Sequence, residues 1–216
     1  PERLIGLIEK GEESLRANAA ELAGKWRLEA AREPLARLGR NDKTPKKLRQ
    51  AALKGIAGIG GPDSLRILRE LGAPANPLHT RAMAAAAMVN LAATAASTLA
   101  TELLGQIEVA TDAVPIFDAF FLKSTGPRYL ARALKDKQVS PEVAILGIRR
   151  AAGSGKRGEE LVKALSTAAG LKPMTQKLSP KAMDAMIRKV QKHGDPARGE
   201  AVYRRQELAC VNCHSI

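Results

Sequence analysis

Apolar residues recur along most of this chain at helical spacing, and no stretch shows the period-two alternation of a strand. Residues 1–39 read as helix, starting with the short patch Leu4, Ile5 and Ile8. Leu15, Ala19, Leu22 and Trp26 then follow at steps of four, three and four, which predicts one buried face with Trp26 as a core anchor. Pro34 is expected to break or kink this segment. From residue 44 the pattern becomes periodic. Leu48, Ala52, Ile56 and Ile59 share a face up to Gly60-Gly61-Pro62, and Leu65, Leu68 and Leu71 share one up to Gly72. Further faces follow: Leu78, Ala82, Ala85, Val89 and Ala92; Leu99, Leu103 and Ile107; Val114, Phe117 and Phe121; Leu130 and Leu134; Ala144, Ile148 and Ala151; Leu161, Leu165 and Ala168.

Proline sets the punctuation. Thr44-Pro45, Asn76-Pro77, Ser140-Pro141, Ser179-Pro180 and Asp195-Pro196 each pair a capping residue with Pro. The spacing predicts the first residue as N-cap and Pro as the first helical residue, where its missing N–H costs nothing. Helix starts fall about 14–20 residues apart, and helix pairs recur roughly every 30–35 residues. Each pair can bury its apolar face only by stacking on neighbours, so the expected fold is all-α, a helical-repeat solenoid. The looseness of the pattern resembles HEAT-like repeats. Tetratricopeptide repeats share the period, but their Trp/Gly/Tyr and Ala/Pro signature is not visible. The organisation read from the chain is N-terminal helices over 1–43, HEAT-like repeats over 44–171, a linker over 172–178, and a helix pair over 179–216. In that pair Met183, Ile187 and Val190 are expected on one face and Met183 and Met186 in a core, and Gly194 is expected to stop the first helix after His193.

Composition narrows the core. Hydrophobic residues make up 45% of the chain but aromatics only 3%, so small side chains must fill it and helices must approach closely. The net charge of +13 is compatible with nucleic acid, an anionic surface or an acidic protein partner. It also fits plain solvated helix faces, which the scattering of Lys and Arg as singles and pairs favours. No window approaches the roughly 18 apolar residues of a membrane span. Residues 1–10 carry Glu2, Arg3, Glu9 and Lys10 and do not form a signal peptide. The chain is expected to be a piece of a longer one, since Pro1 is not an initiator. Glu12-Glu13, Glu159-Glu160 and Asp184 lack partners at acid–base spacing, and Gly58, Gly60 and Gly61 lack the lysine of a phosphate loop. No catalytic residue is predicted. His79, in the first turn of a helix, is expected to disfavour a proton there.

The last seven residues carry the candidate chemistry. Cys210-Val211-Asn212-Cys213-His214 has the spacing of c-type haem attachment. The two thiols can each add across a haem vinyl group, and His214 can ligate the iron from the proximal side. A redox dithiol would want a strand before it. Zinc would need a fourth ligand beyond these three, and only His79 and His193 remain. Chance adjacency is the bland alternative.

The helix before the motif extends the reading. Gly194-Asp195-Pro196-Ala197-Arg198-Gly199-Glu200-Ala201-Val202-Tyr203, followed by the pentapeptide, resembles the entrance of a class I cytochrome c domain. In that family the first helix carries a glycine followed four residues later by an aromatic, and both pack on the C-terminal helix; Gly199 and Tyr203 match. With the repeats, the chain is similar to planctomycete and verrucomicrobial multidomain putative membrane-bound dehydrogenase proteins, which join HEAT-like repeats to a haem-binding domain. The resemblance implies haem c on Cys210, Cys213 and His214, and a truncated cytochrome c domain. It also implies electron transfer with a redox partner protein or an oxidoreductase domain of the same chain, and an extracytoplasmic location, periplasmic or secreted. A distal methionine would lie beyond Ile216. The rival readings are a basic HEAT-like protein that binds nucleic acid, and a haem-free scaffold on which proteins dock.

Overall fold

Every regular element among the described residues is helical, as the 3.6-residue periodicity requires. The computed structural model describes residues 2–153, 155–171 and 178–205. They belong to two units, residues 1–172 and residues 173–216.

The first unit holds α1 (Glu2–Lys10), α2 (Glu13–Lys25), α3 (Arg32–Arg40), α4 (Lys46–Ile59), α5 (Gly61–Leu71), α6 (Leu78–Met88), α7 (Ala93–Leu104), α8 (Val114–Leu122), α9 (Gly126–Ala133), α10 (Pro141–Ala152) and α11 (Glu159–Ala168). Short 3-10 turns precede α3, α8 and α11. Successive helices fold back on each other. The even-numbered helices α2, α4, α6, α8 and α10 pack in series as one layer, and α7, α9 and α11 continue the other. One continuous core runs from Ile8 to Leu165, with Phe117 and Phe120 its largest members.

The segment 1–39 is therefore three helices rather than one. Gly11 ends α1, and Arg27, at φ 51°, turns the chain after α2. Pro34 sits in the first turn of α3, where no N–H is needed, so it breaks nothing.

The buried face of α2 also differs from expectation. Trp26 is 67% exposed and Leu15 45% exposed, whereas Ala19, Ala20, Ala23 and Gly24 are buried. The cause is the contact with α4. A Cβ on Gly24 would lie 2.8 Å from the Gly55 Cα, and one on Gly58 would lie 2.9 Å from Gly24. The two backbones touch, so only small residues fit the seam and the large ones turn outward.

Capping follows the reading at three sites. Ser140 Oγ accepts from the Val143 N–H, Ser179 Oγ from Ala182 N–H, and Asp195 Oδ1 from Arg198 N–H. At Pro45 and Pro77 the register is shifted by one. Each proline is itself the extended N-cap, at ψ 142° and 146°. Thr44 therefore caps nothing with its side chain; its carbonyl accepts from Arg49 instead.

The second unit holds α12 (Pro180–His193) and α13 (Pro196–Tyr203), with no buried residue on either. Met183 and Met186, expected in a core, are 45% and 50% exposed, and Ile187 and Val190 are 46% and 61% exposed. Met183, Ile187 and Val190 do share one face of α12, and that face stands exposed among the described residues. Gly194 caps α12 in extended conformation, φ −71° and ψ 144°. Its lack of a side chain matters sterically: a Cβ there would lie 2.4 Å from the Val190 carbonyl oxygen.

Candidate functional site

Cys210, Cys213 and His214 lie outside the described residues. Gly199 and Tyr203 lie inside, one turn apart on α13. The helix starts there because Asp195 receives the Arg198 N–H at 3.0 Å and Pro196 has none to lose. Among the described residues, and leaving aside its chain neighbours and its own helix backbone, no atom stands within 4 Å of where a Gly199 Cβ would be, and Tyr203 is half-buried. Among the described residues no three His, Cys, Asp or Glu side chains gather at metal-binding range.

What sequence reasoning missed lies on the even-numbered layer. A groove of about 540 Å³ crosses α4, α6 and α8. Its floor is Ala57, Gly58, Ala86, Ala87 and Ala119, and Leu122 stands at its edge, 87% exposed. The groove stays open because only methyl groups stand along one line: Ala57 on α4, Ala86 and Ala87 on α6, and Ala119 on α8. Lys54 and Asp118 mark its sides. Each is held by a neighbouring helix, Lys54 by Glu21 at 3.6 Å and Asp118 by Arg150. The lining therefore carries little net charge, and its recognition would rest on shape and apolar contact.

Two buried arginines align the repeats behind this layer. Arg49, 2% exposed, donates to the carbonyls of Asn41, Asp42 and Thr44 at 3.0, 2.6 and 3.2 Å, and to Thr80 Oγ1 at 3.0 Å. It also meets His79 Nε2, and its Nε finds no partner. Arg81, one period later, donates to the Gly72 carbonyl at 3.3 Å and to Gln106 Oε1 at 3.1 Å. Each arginine thus ties the turn before its own helix to the following repeat. The signal was in the sequence: Pro45 and Pro77 are each followed four residues later by Arg.

His79 must accept from Arg49 through Nε2, so it has to be neutral. Its pKa is lowered from 6.5, first by partial burial and then by the Arg49 guanidinium. The proton is disfavoured as expected, chiefly through desolvation and a neighbouring cation. Nearby, Arg40 clamps α3 to α5. Its Nε and Nη2 donate to the two Glu70 carboxylate oxygens at 2.9 and 3.2 Å, holding the Glu70 pKa below its ordinary value.

Residues 1–89 match the family model described as HEAT repeats, less than half of the chain. That match spans α1 to α6 and takes in the turns joined by Arg49. The same helix-on-helix packing continues through α11. No curated protein matches the chain. Residues 1–89 thus carry HEAT-like repeats, a helical scaffold suited to protein interaction. No helix among the described residues is long and apolar enough to cross a membrane.

Proposed function

We propose that this chain is a protein-docking scaffold followed in sequence by a c-type haem electron-transfer site. The observation that carries the docking half is the alanine-floored groove over α4, α6 and α8, with Leu122 exposed at its rim. An 87% exposed leucine beside an unfilled apolar floor is the arrangement of an interface anchor awaiting its counterpart. A partner segment presenting aliphatic side chains would fill the floor, and the shape of the groove would select it.

The haem half is supported by sequence: the spacing Cys210, Cys213 and His214, with Gly199 and Tyr203 one turn apart on the helix before it. The open space around Gly199 fits a helix approaching that face. Cys210 and Cys213 would hold the haem edge and His214 would be the axial ligand. Haem bound there would supply a one-electron couple tuned by ligation and burial. The redox partner would be a protein or an oxidoreductase domain of the same chain, in an extracytoplasmic setting.

Two experiments test the two halves. For docking, peptides are selected from a random display library against the full chain and re-tested on Ala87→Trp and Leu122→Asp. Binders lost on both variants support the groove; binders indifferent to both refute it. For haem, an extended chain is produced with c-type maturation machinery. A covalent haem absorbing in the visible, lost in Cys210→Ala/Cys213→Ala, supports the assignment. A colourless product with unmodified thiols removes it and leaves the scaffold standing.

A further inference from the structure

A second concave site lies at the α9 and α11 end of the first unit. There the chain leaves α9 at Leu134, turns at Asp136 (φ 59°), and returns so that the Val139 N–H bonds to the Ala168 carbonyl at 3.2 Å. The turn thereby spans the C-terminal ends of both helices. Between them opens a cleft of about 1050 Å³. Its floor is apolar and small-lined, with Ala131, Leu134, Val139, Ala164 and Ala168. Its rim carries Arg132, Lys135, Lys137 and Lys163, all exposed.

Charge decides what can enter. None of those four cations forms an ion pair among the described residues. Two carboxylates share the cleft, Asp136 and Glu160, and Glu160 is engaged by Arg128 at 3.7 Å. The two helix C-termini add about half a negative charge each. Four full positive charges outweigh these, so the rim stays cationic. A cationic rim around an apolar floor selects an anionic occupant that also has aliphatic surface. A nucleic acid would look for aromatic side chains to stack its bases, and the lining has none. A lipid surface is met by protruding apolar side chains, whereas this floor is recessed.

We infer that the cleft between α9 and α11 is a docking site for an acidic protein segment, one whose carboxylates meet Arg132, Lys135, Lys137 and Lys163 while its aliphatic side chains fill the alanine floor. The inference rests on the scaffold reading for its premise that this unit meets proteins. It fails separately from that reading, because its residues are not those of the groove over α4, α6 and α8.

The test uses the full chain and a fluorescein-labelled peptide of about four helical turns, with glutamates on one face and leucine and alanine on the other. Fluorescence anisotropy is expected to show saturable binding that weakens with added salt. Lys135→Glu/Lys163→Glu is expected to lower affinity about tenfold. Ala164→Trp, which fills the floor without changing charge, is expected to do the same. Arg3→Glu/Lys10→Glu, with the same total charge change on α1, should stay within about twofold, with circular dichroism confirming that all variants fold. Absence of saturable binding overturns the inference, as does an equal loss in the α1 variant. It is also overturned if an oligothymidylate or phosphatidylserine vesicles bind more tightly than the peptide and depend on the same two lysines. Persistence of binding in Ala87→Trp shows that the cleft, not the groove, is being read.

Discussion

Substituting Gly55 by alanine tests the backbone seam between α2 and α4. The new Cβ would stand 2.5 Å from the Ala20 carbonyl oxygen and 2.9 Å from Leu35 Cδ1. An ordinary C···O contact is about 3.3–3.6 Å, so the seam would have to open by nearly an ångström. The closest obstacle is backbone and cannot swing away. Overpacking of this kind costs about 1–3 kcal/mol, and a rigid obstacle belongs at the upper end. Against it stands the helix propensity of alanine over glycine, about 1 kcal/mol. The expected net loss is about 1–2 kcal/mol, or roughly 2–8 °C in Tm for a unit of this size. The internal control is Gly6→Ala on α1, where nothing lies within 4 Å of the new methyl; it should gain about 0.5–1 kcal/mol. Urea unfolding followed by far-UV circular dichroism measures both. If Gly55→Ala matches or exceeds the native chain while Gly6→Ala gains as expected, the seam is not closely packed and the reasoning is wrong.

Other perturbations reach different parts of the structure. Arg49→Met should destabilise by about 2–4 kcal/mol in the same urea assay, because three carbonyls and the Thr80 hydroxyl lose a buried charged donor. Stability should fall as pH drops below 6.5 toward the lowered pKa of His79, because over that range the unfolded chain binds the proton more readily than the folded one. A second loss should follow below 4.5 as Glu70 is protonated and releases Arg40; denaturation midpoints measured between pH 8 and 3 check both, and Arg49→Met should flatten the upper step. Ser140→Ala should cost about 1 kcal/mol by leaving the Val143 N–H uncapped at the start of α10, read from the Tm.

Helix positions were legible because proline and glycine act through the backbone alone. A proline at 141, 180 or 196 restricts φ whatever packs nearby, and the elements begin there. Which face is buried depends on the neighbour, and this is where the reading failed. Leu15 and Trp26 outrank Ala20 and Gly24 in hydrophobicity, yet α4 presents Gly55 and Gly58, which only small residues can meet. The shift at Pro45 has a similar origin: the Thr44 carbonyl is held by Arg49, so the chain stays extended one residue longer. The groove was hidden for a further reason. It is a line of absent side chains, Ala57, Ala86 and Ala119, drawn from three helices and adjacent only after stacking. On α12 the spacing of Met183, Ile187 and Val190 gave the face correctly but not its burial, since amphipathicity states which side is apolar and not whether anything covers it.

The scarcity of aromatics and the two concave sites share one physical cause. Helices built from alanine and glycine can approach until their backbones touch, and little volume then remains for large side chains between them. At such a seam large side chains turn outward, as Leu15 does on α2 and Trp26 at its end, and inter-helix valleys are left with methyl-lined floors. Such floors are chemically alike, so discrimination between partners has to come from their rims. The groove over α4, α6 and α8 has its Lys54 and Asp118 already engaged by Glu21 and Arg150, whereas the α9–α11 cleft keeps four cations without ion-pair partners among the described residues. Screening by salt therefore separates them. Raising ionic strength should leave groove binding nearly unchanged and weaken cleft binding steeply. Equal salt dependence at both would mean that the total charge of the chain, rather than its placement, governs what docks.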